Sequence, residues 1–435
     1  MADNPPAHFN SWLLVARSYE QRNESEKAVA IYKYLQDGGD EPHLRFARLR
    51  LALLYDKLGE AEQLIRSAEA FADNYPEDAQ TPVLLSKAGD AAIETEDFAR
   101  AVELYSRALK TAEADVAVYA RYRRAVAYYL DGQMKKMAGD LAEVLPSPHS
   151  KPFRDRVLLM LGDFEQENDD LPKAIIYYKR LVTEHPDSER VPTARLRLGS
   201  CYYQRGMKDD AVEQYFELVR TGRLDVLPDD VLLWMVQYLR ERERFMEAAT
   251  VCRSALDEGR EQRSTEVELS YNLGLAMESA GKYEEASRVF RSLVASYPDA
   301  ARRYHAKLAN ARCLIALGSQ AEAEKILRAL LDETSARMRS RVTLQLADLE
   351  YSQGRFEEAF RDYSFVAILE NFEELAAPAL LGAARSSFKL ERFMDASRFA
   401  NELIERFPDS PLREEARRYL RQKEDEGKPE DGDNG

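Results

Sequence analysis

Residues 281–290 read GKYEEASRVF, and residues 354–363 read GRFEEAFRDY. The second stretch starts 73 residues after the first, too far for a local helix effect. Between them LGSQAEAEKIL (317–327) has the same design, with Gly318 and Ala323 in the places of Gly281 and Ala286. Outward from these copies one anchor recurs as Ala28, Leu64, Ala101, Met137, Ala174, Ala211, Ala248, Ala286, Ala323, Ala359 and Ala396, at intervals of 36 to 38 residues. A period held that tightly over nearly the whole chain predicts a solenoid.

Each period reads as two helices. The first carries apolar residues at helical spacing around a small residue, as in RLRLGSCYYQRG (195–206) and SYNLGLAMESAG (270–281). Gly206, Gly281 and Gly354 stand where that helix stops and the chain turns. The second helix contains the anchor and, four residues on, an aromatic: Tyr32, Tyr105, Tyr178, Tyr215, Phe290 or Tyr363. A small anchor lets two helix backbones approach, and the aromatic one turn later fills the space beside it. Pro76, Pro186, Pro298 and Pro408 block continuation of the second helix.

These residues resemble the tetratricopeptide repeat family. Gly274, Gly281, Tyr283, Ala286, Phe290, Leu293 and Pro298 follow its pattern, as do Gly162, Ala174, Tyr178, Leu181 and Pro186. The resemblance implies an all-α solenoid of about eleven repeats wound as a right-handed superhelix over residues 9–409. The period near 37 exceeds the family's usual 34, and Leu64 and Met137 replace the anchor Ala. Residues 1–8 are expected to be a flexible N-terminus, 410–422 a charged capping helix, and 423–435 a disordered acidic tail. The phrases EHPDSERVPTARLRLG (184–199) and RFPDSPLREEARRYL (406–420) are similar to the repeat subclass common in bacterial cell-envelope proteins, such as the Tol–Pal periplasmic partner and outer-membrane assembly lipoproteins.

Composition narrows the function classes. The net charge is −15, and the last twelve residues hold six acids and one lysine. An acidic, charge-mixed surface argues against a phosphate-backbone binder, so no nucleic acid is expected. Eighteen-residue apolar runs are missing from the sequence, so no membrane insertion is expected. The start MADNPPAHFNSW has no basic and apolar leader pattern, which reads as cytoplasmic, with the periplasm or envelope as the alternative. Cys201, Cys252 and Cys313 are too widely spaced for a zinc or redox motif and read as packing residues. The five histidines are scattered, and no phosphate-cradling or nucleophile motif occurs, so neither an enzyme nor a cofactor site is expected. Glu284–Glu285 and Glu357–Glu358 sit where acids offset the positive end of a helix.

The resemblance also implies where partners bind. In this family positions 2, 5, 9, 12 and 13 of each first helix face a concave groove, counting so that the anchor is position 20. That gives Tyr119, Tyr122, Val126, Tyr129, Leu159, Asp163, Leu196, Tyr203, Leu233, Gln237, Tyr271, Arg312, Tyr351 and Arg385 as candidate partner-binding residues. Chaperone-docking members carry Lys at 5 and Asn at 9; this chain has neither in any repeat, so no clamp for chaperone C-termini is expected. The expected partner is a protein, as an extended peptide or a helix in the groove, with self-association as the alternative. The sequence thus predicts a non-enzymatic scaffold that helps assemble a multiprotein complex.

Overall fold

The computed structural model describes residues 5–36, 41–369 and 372–426. Among these residues the regular structure is entirely helical, and it falls into two units, residues 1–218 and 219–435. The first unit holds six pairs. They begin with α1 (Pro5–Gln21), α2 (Ser25–Leu35), α3 (Glu41–Leu58), α4 (Ala61–Asn74), α5 (Thr81–Glu94) and α6 (Phe98–Ala108). They continue with α7 (Ala114–Leu130), α8 (Met134–Val144), α9 (Arg154–Glu167), α10 (Leu171–Glu184), α11 (Val191–Gln204) and α12 (Lys208–Arg220). The second unit starts with α13 (Asp229–Glu241), α14 (Phe245–Glu258), α15 (Arg263–Ser279), α16 (Tyr283–Ser296), α17 (Arg303–Ala316) and α18 (Gln320–Glu333). It ends with α19 (Ala336–Ser352), α20 (Phe356–Leu369), α21 (Glu373–Lys389), α22 (Phe393–Arg406) and the lone α23 (Arg413–Glu426). The expected flexible segment 1–8 meets α1 from Pro5 onward; residues 1–4 and the tail from 427 lie outside the described residues.

All eleven anchors are buried in second helices, Leu64 and Met137 as fully as the alanines. The slot facing them explains why. In repeats 3, 5, 6 and 8, position 8 of the first helix is Gly and position 24 of the second is aromatic: Gly89 with Tyr105, Gly162 with Tyr178, Gly199 with Tyr215, Gly274 with Phe290. A Cβ on Gly89 would lie 2.7 Å from the Tyr105 ring, and one on Gly274 would lie 2.6 Å from Cζ of Phe290. In repeats 2, 4, 9 and 11 position 8 is Ala, and position 24 is Ala68, Leu141, Leu327 or Ala400. Ring and glycine therefore trade volume within these eight pairs. Tyr32 and Tyr363 depart from this rule: their repeats have Ala16 and Ala347 at position 8, and the Tyr363 ring lies on Gly382 of the next first helix instead.

The turn inside each pair is equally uniform. Position 15 is left-handed in all eleven repeats, as Gly in six and as Asn23, Glu96, Asp169, Glu243 and Glu391 in the others. The amide after it closes on the carbonyl five residues back, as from Lys282 to Met277 and from Arg355 to Glu350, which ties off the helix end. Residues 145–153, three of them proline, form a short 3₁₀ turn at Pro148–Phe153 rather than a break.

Within each unit, first helices touch the next first helix: α3 meets α5 and α5 meets α7, and α13 through α23 continue the chain of odd-numbered contacts. Among the described residues no contact of similar extent joins successive second helices. First helices thus form the inner layer of each unit and second helices the outer one. Ion pairs clip the inner layer from repeat to repeat. Lys87 reaches Asp56 at 2.6 Å, Arg123 reaches Asp90 at 2.5 Å, and Arg312 reaches Glu278 at 2.7 Å. Much of the mixed charge seen in the sequence is spent on these joints.

Candidate functional site

In the first unit the inner layer is tied up by its own hydrogen bonds. Asp90 collects three donors: the Tyr105 hydroxyl at 2.6 Å, the Tyr119 hydroxyl at 2.7 Å and Nε of Arg123 at 2.5 Å. Burial and the adjoining Asp90 carboxylate push the Tyr105 and Tyr119 phenols well above the ordinary tyrosine range. Asp163 plays the same part in the fifth repeat, accepting from the Tyr178 hydroxyl at 2.6 Å. A short side chain at position 9 that reaches position 24 of its own repeat is a support for the ring.

The fourteen candidate residues sort accordingly. Tyr122 is a correction: it is 5% exposed and stacks on Phe153 at 4.3 Å, with the planes 14° apart. The 3₁₀ turn brings Phe153 back over it, a contact with no trace in the repeat pattern. Val126 packs on the same cluster and is half-buried, as are Leu159 and Leu196. Tyr119, Tyr129 and Tyr203 are exposed. Arg312 is held by both oxygens of Glu278, and Arg385 by Glu415 at 2.5 and 2.9 Å, so each is a joint residue. Tyr351 sits edge-on to Phe356, with centroids 5.3 Å apart.

Leu233, Gln237 and Tyr271 are different, because the fold brings them together. They line an open trough of about 770 Å³ on the inner layer of the second unit, between α13 and α15 with Arg302 at its far side. Its walls are built from position 5 (Leu233, Tyr271), position 9 (Gln237, Leu275), position 12 (Arg240), position 13 (Glu241, Ser279) and position 2 (Glu268) of the seventh and eighth repeats. Trp234 adds an apolar wall and stacks on Tyr238 at 5.5 Å. Arg302 donates to Glu268 at 2.7 Å and lies 5.0 Å above the Tyr271 ring. The Tyr271 phenol is raised by burial, and the Arg302 guanidinium is raised by its bond to Glu268. Trp234 and Arg302 were not among the expected residues. Trp234 is one of only two tryptophans in the chain, and that scarcity was the available signal. Arg302 precedes a helix and carries no repeat signal.

Chemically, the trough offers apolar surface, paired charges and amide groups. Among the described residues no group of three or more His, Cys, Asp or Glu side chains is arranged to hold a metal ion, and no helix is long and apolar enough to cross a membrane. The three thiols are fully buried, and burial pushes Cys201 up to about 11 and Cys252 and Cys313 up to about 12.

Tetratricopeptide repeat family models match residues 86–146, 159–225 and 268–300. No curated protein sequence matches the chain. Among solved structures, MamA 41-end from Desulfovibrio magneticus RS-1 is 20% identical over 40% of this chain and 93% of its own, with a TM-score of 0.34. A second MamA structure is 17% identical over 37% of this chain and 88% of its own, at 0.32. A tetratricopeptide repeat protein from Parabacteroides merdae ATCC 43184 is 15% identical over 60% of this chain and 98% of its own, at 0.30.

Proposed function

The chain is a tetratricopeptide repeat protein, and from that premise we propose that it is a non-enzymatic scaffold that holds a segment of a partner protein against the inner layer of its first helices. The observation that carries this reading is the trough between α13 and α15. Eight of its twelve lining residues come from the five helix positions through which such repeats present side chains to a partner, whereas Asp163, Arg312 and Arg385 at such positions elsewhere serve ring supports or joints. Apolar surface beside a few oriented polar groups is the composition of a binding groove.

The test is co-purification with face-specific variants. Gln237→Arg places a bulky cation on an exposed trough position, and Ile176→Arg places one on an exposed position of the second helix α10. With helical circular dichroism unchanged for both, the expected result is that partners captured by the wild-type chain are lost with Gln237→Arg and kept with Ile176→Arg. Partners retained by Gln237→Arg would overturn the reading.

A second reading, self-association into a larger assembly, is favoured by α1. Trp12, Leu14 and Val15 are exposed there, although the residue matching Val15 is a buried apolar side chain in most later repeats, as with Leu51, Leu161, Leu198 and Leu346. Light scattering through a dilution series tests it; a monomer at every concentration removes this reading.

A further inference from the structure

The trough does not end at its apolar walls. Toward the N-terminal ends of α13 and α15 it runs into a second open depression of about 690 Å³, and the two share Leu233 and Glu268. The lining changes character over that distance. At one end are Trp234, Tyr271 and Leu275; at the other are Asp225, Asp229, Asp230 and Glu261, with Arg260 as the one cation among the residues lining that end.

Pairing decides how much of that acidity is available. Asp225 is bound by both nitrogens of Arg223, at 2.9 and 3.1 Å. Asp229 accepts from the Thr265 hydroxyl at 2.7 Å and has Arg260 at 3.7 Å. Glu268 is held by Arg302. Among the described residues Asp230 and Glu261 meet no cation, and both are exposed. At the apolar end Arg240 donates to Asn272 at 2.7 Å, a tie between α13 and α15.

Resting on the reading above, we propose that the occupant is an extended protein segment with one large apolar or aromatic residue and a Lys or Arg about two to three residues away. The apolar side chain lies against Trp234 and Leu275, and the basic side chain reaches Asp230 and Glu261. The spacing follows from the helix: along α13 at 1.5 Å per residue, Trp234 stands about 6 Å from Asp230 and Gln237 about 10 Å, which is about two to three residues of extended chain at 3.3 Å each. Two unpaired carboxylates at a fixed distance from an apolar wall select a basic partner and repel an acidic one.

A phage-displayed random dodecapeptide library, selected on the wild-type chain, tests both levels. The expected outcome is enrichment of peptides with an aromatic or large aliphatic residue and a Lys or Arg at the second or third position from it. Their affinity should fall at least tenfold with Asp230→Asn plus Glu261→Gln and weaken as salt is raised. Peptides that lose binding with Gln237→Arg yet carry no basic residue and ignore the double carboxylate variant would overturn this proposal while leaving the groove intact. Peptides indifferent to Gln237→Arg, or no enrichment over the bare support, would overturn the groove and the proposal together.

Discussion

If ring and glycine trade volume within a repeat, putting a methyl group under a ring should cost stability, and shrinking the ring should restore part of it. Gly274→Ala and Phe290→Leu in the eighth repeat test this. The new Cβ would sit 2.6 Å from Cζ and 2.8 Å from Cδ1 of Phe290, so the ring must withdraw by about 1 Å to reach ordinary contact. Overpacking of that kind costs about 1–3 kcal/mol. The helix itself gains about 0.5–1 kcal/mol from losing an interior glycine, which leaves a net destabilisation centred on about 1 kcal/mol and reaching about 2.5 kcal/mol. Phe290→Leu alone opens a cavity in a fully buried site and costs about 1–2 kcal/mol.

In the double variant the added methyl occupies part of the space the ring leaves, the arrangement this chain already uses in Ala125 with Leu141 and in Ala311 with Leu327. The double should therefore cost about 1–2 kcal/mol less than the sum of the singles. Trp234 lies in the neighbouring repeat and reports on this region; Trp12→Phe leaves it as the sole tryptophan. Urea unfolding followed by its fluorescence gives the four midpoints, and at a slope of about 2 kcal/mol per molar the coupling amounts to about 0.5–1 M. A cycle additive within about 0.5 kcal/mol, or a Gly274→Ala midpoint at or above that of the parent, would refute the reasoning.

Two further outcomes follow from burial and backbone shape. The tyrosine phenols buried against carboxylates have folded-state pKa values above the unfolded 10.0, chiefly by desolvation; Tyr32 is pushed up to about 12, and Tyr105, Tyr178 and Tyr363 are shifted in the same direction. Their stabilisation is complete below pH 10 and is lost as pH climbs through 10 towards 12, so unfolding midpoints should fall across that window while tyrosinate absorbance lags; full ionisation at pH 10 in the folded chain would contradict it. At position 15, Glu96, Glu243 and Glu391 hold the left-handed conformation at a cost glycine avoids, so each replacement by Gly should raise the unfolding free energy by about 0.5–1 kcal/mol, and a lower midpoint for all three would sink the argument.

The fold was legible because repetition multiplies weak signals. One Gly followed by Ala and an aromatic proves little, but eleven anchors in phase leave few alternatives, and each of them is buried as the period requires. The turns were only half legible. Gly281 and Gly354 announced a left-handed residue, while Glu96, Glu243 and Glu391 take the same shape because the helix-ending hydrogen bond five residues back imposes it. The site was less legible, for a reason specific to stacked helices. Positions facing inward are also the positions facing the next repeat, so a side chain there can serve a partner or a joint, and the choice depends on its neighbour one period away. Arg312 is spent because Glu278 stands 34 residues before it, and Asp163 because Tyr178 stands 15 after. Gln237 donates to Glu241 on its own helix, at 2.8 Å, and stays exposed. The inner positions left over once the joints are satisfied are the ones with binding capacity to spare, and in the second unit they converge on the trough between α13 and α15.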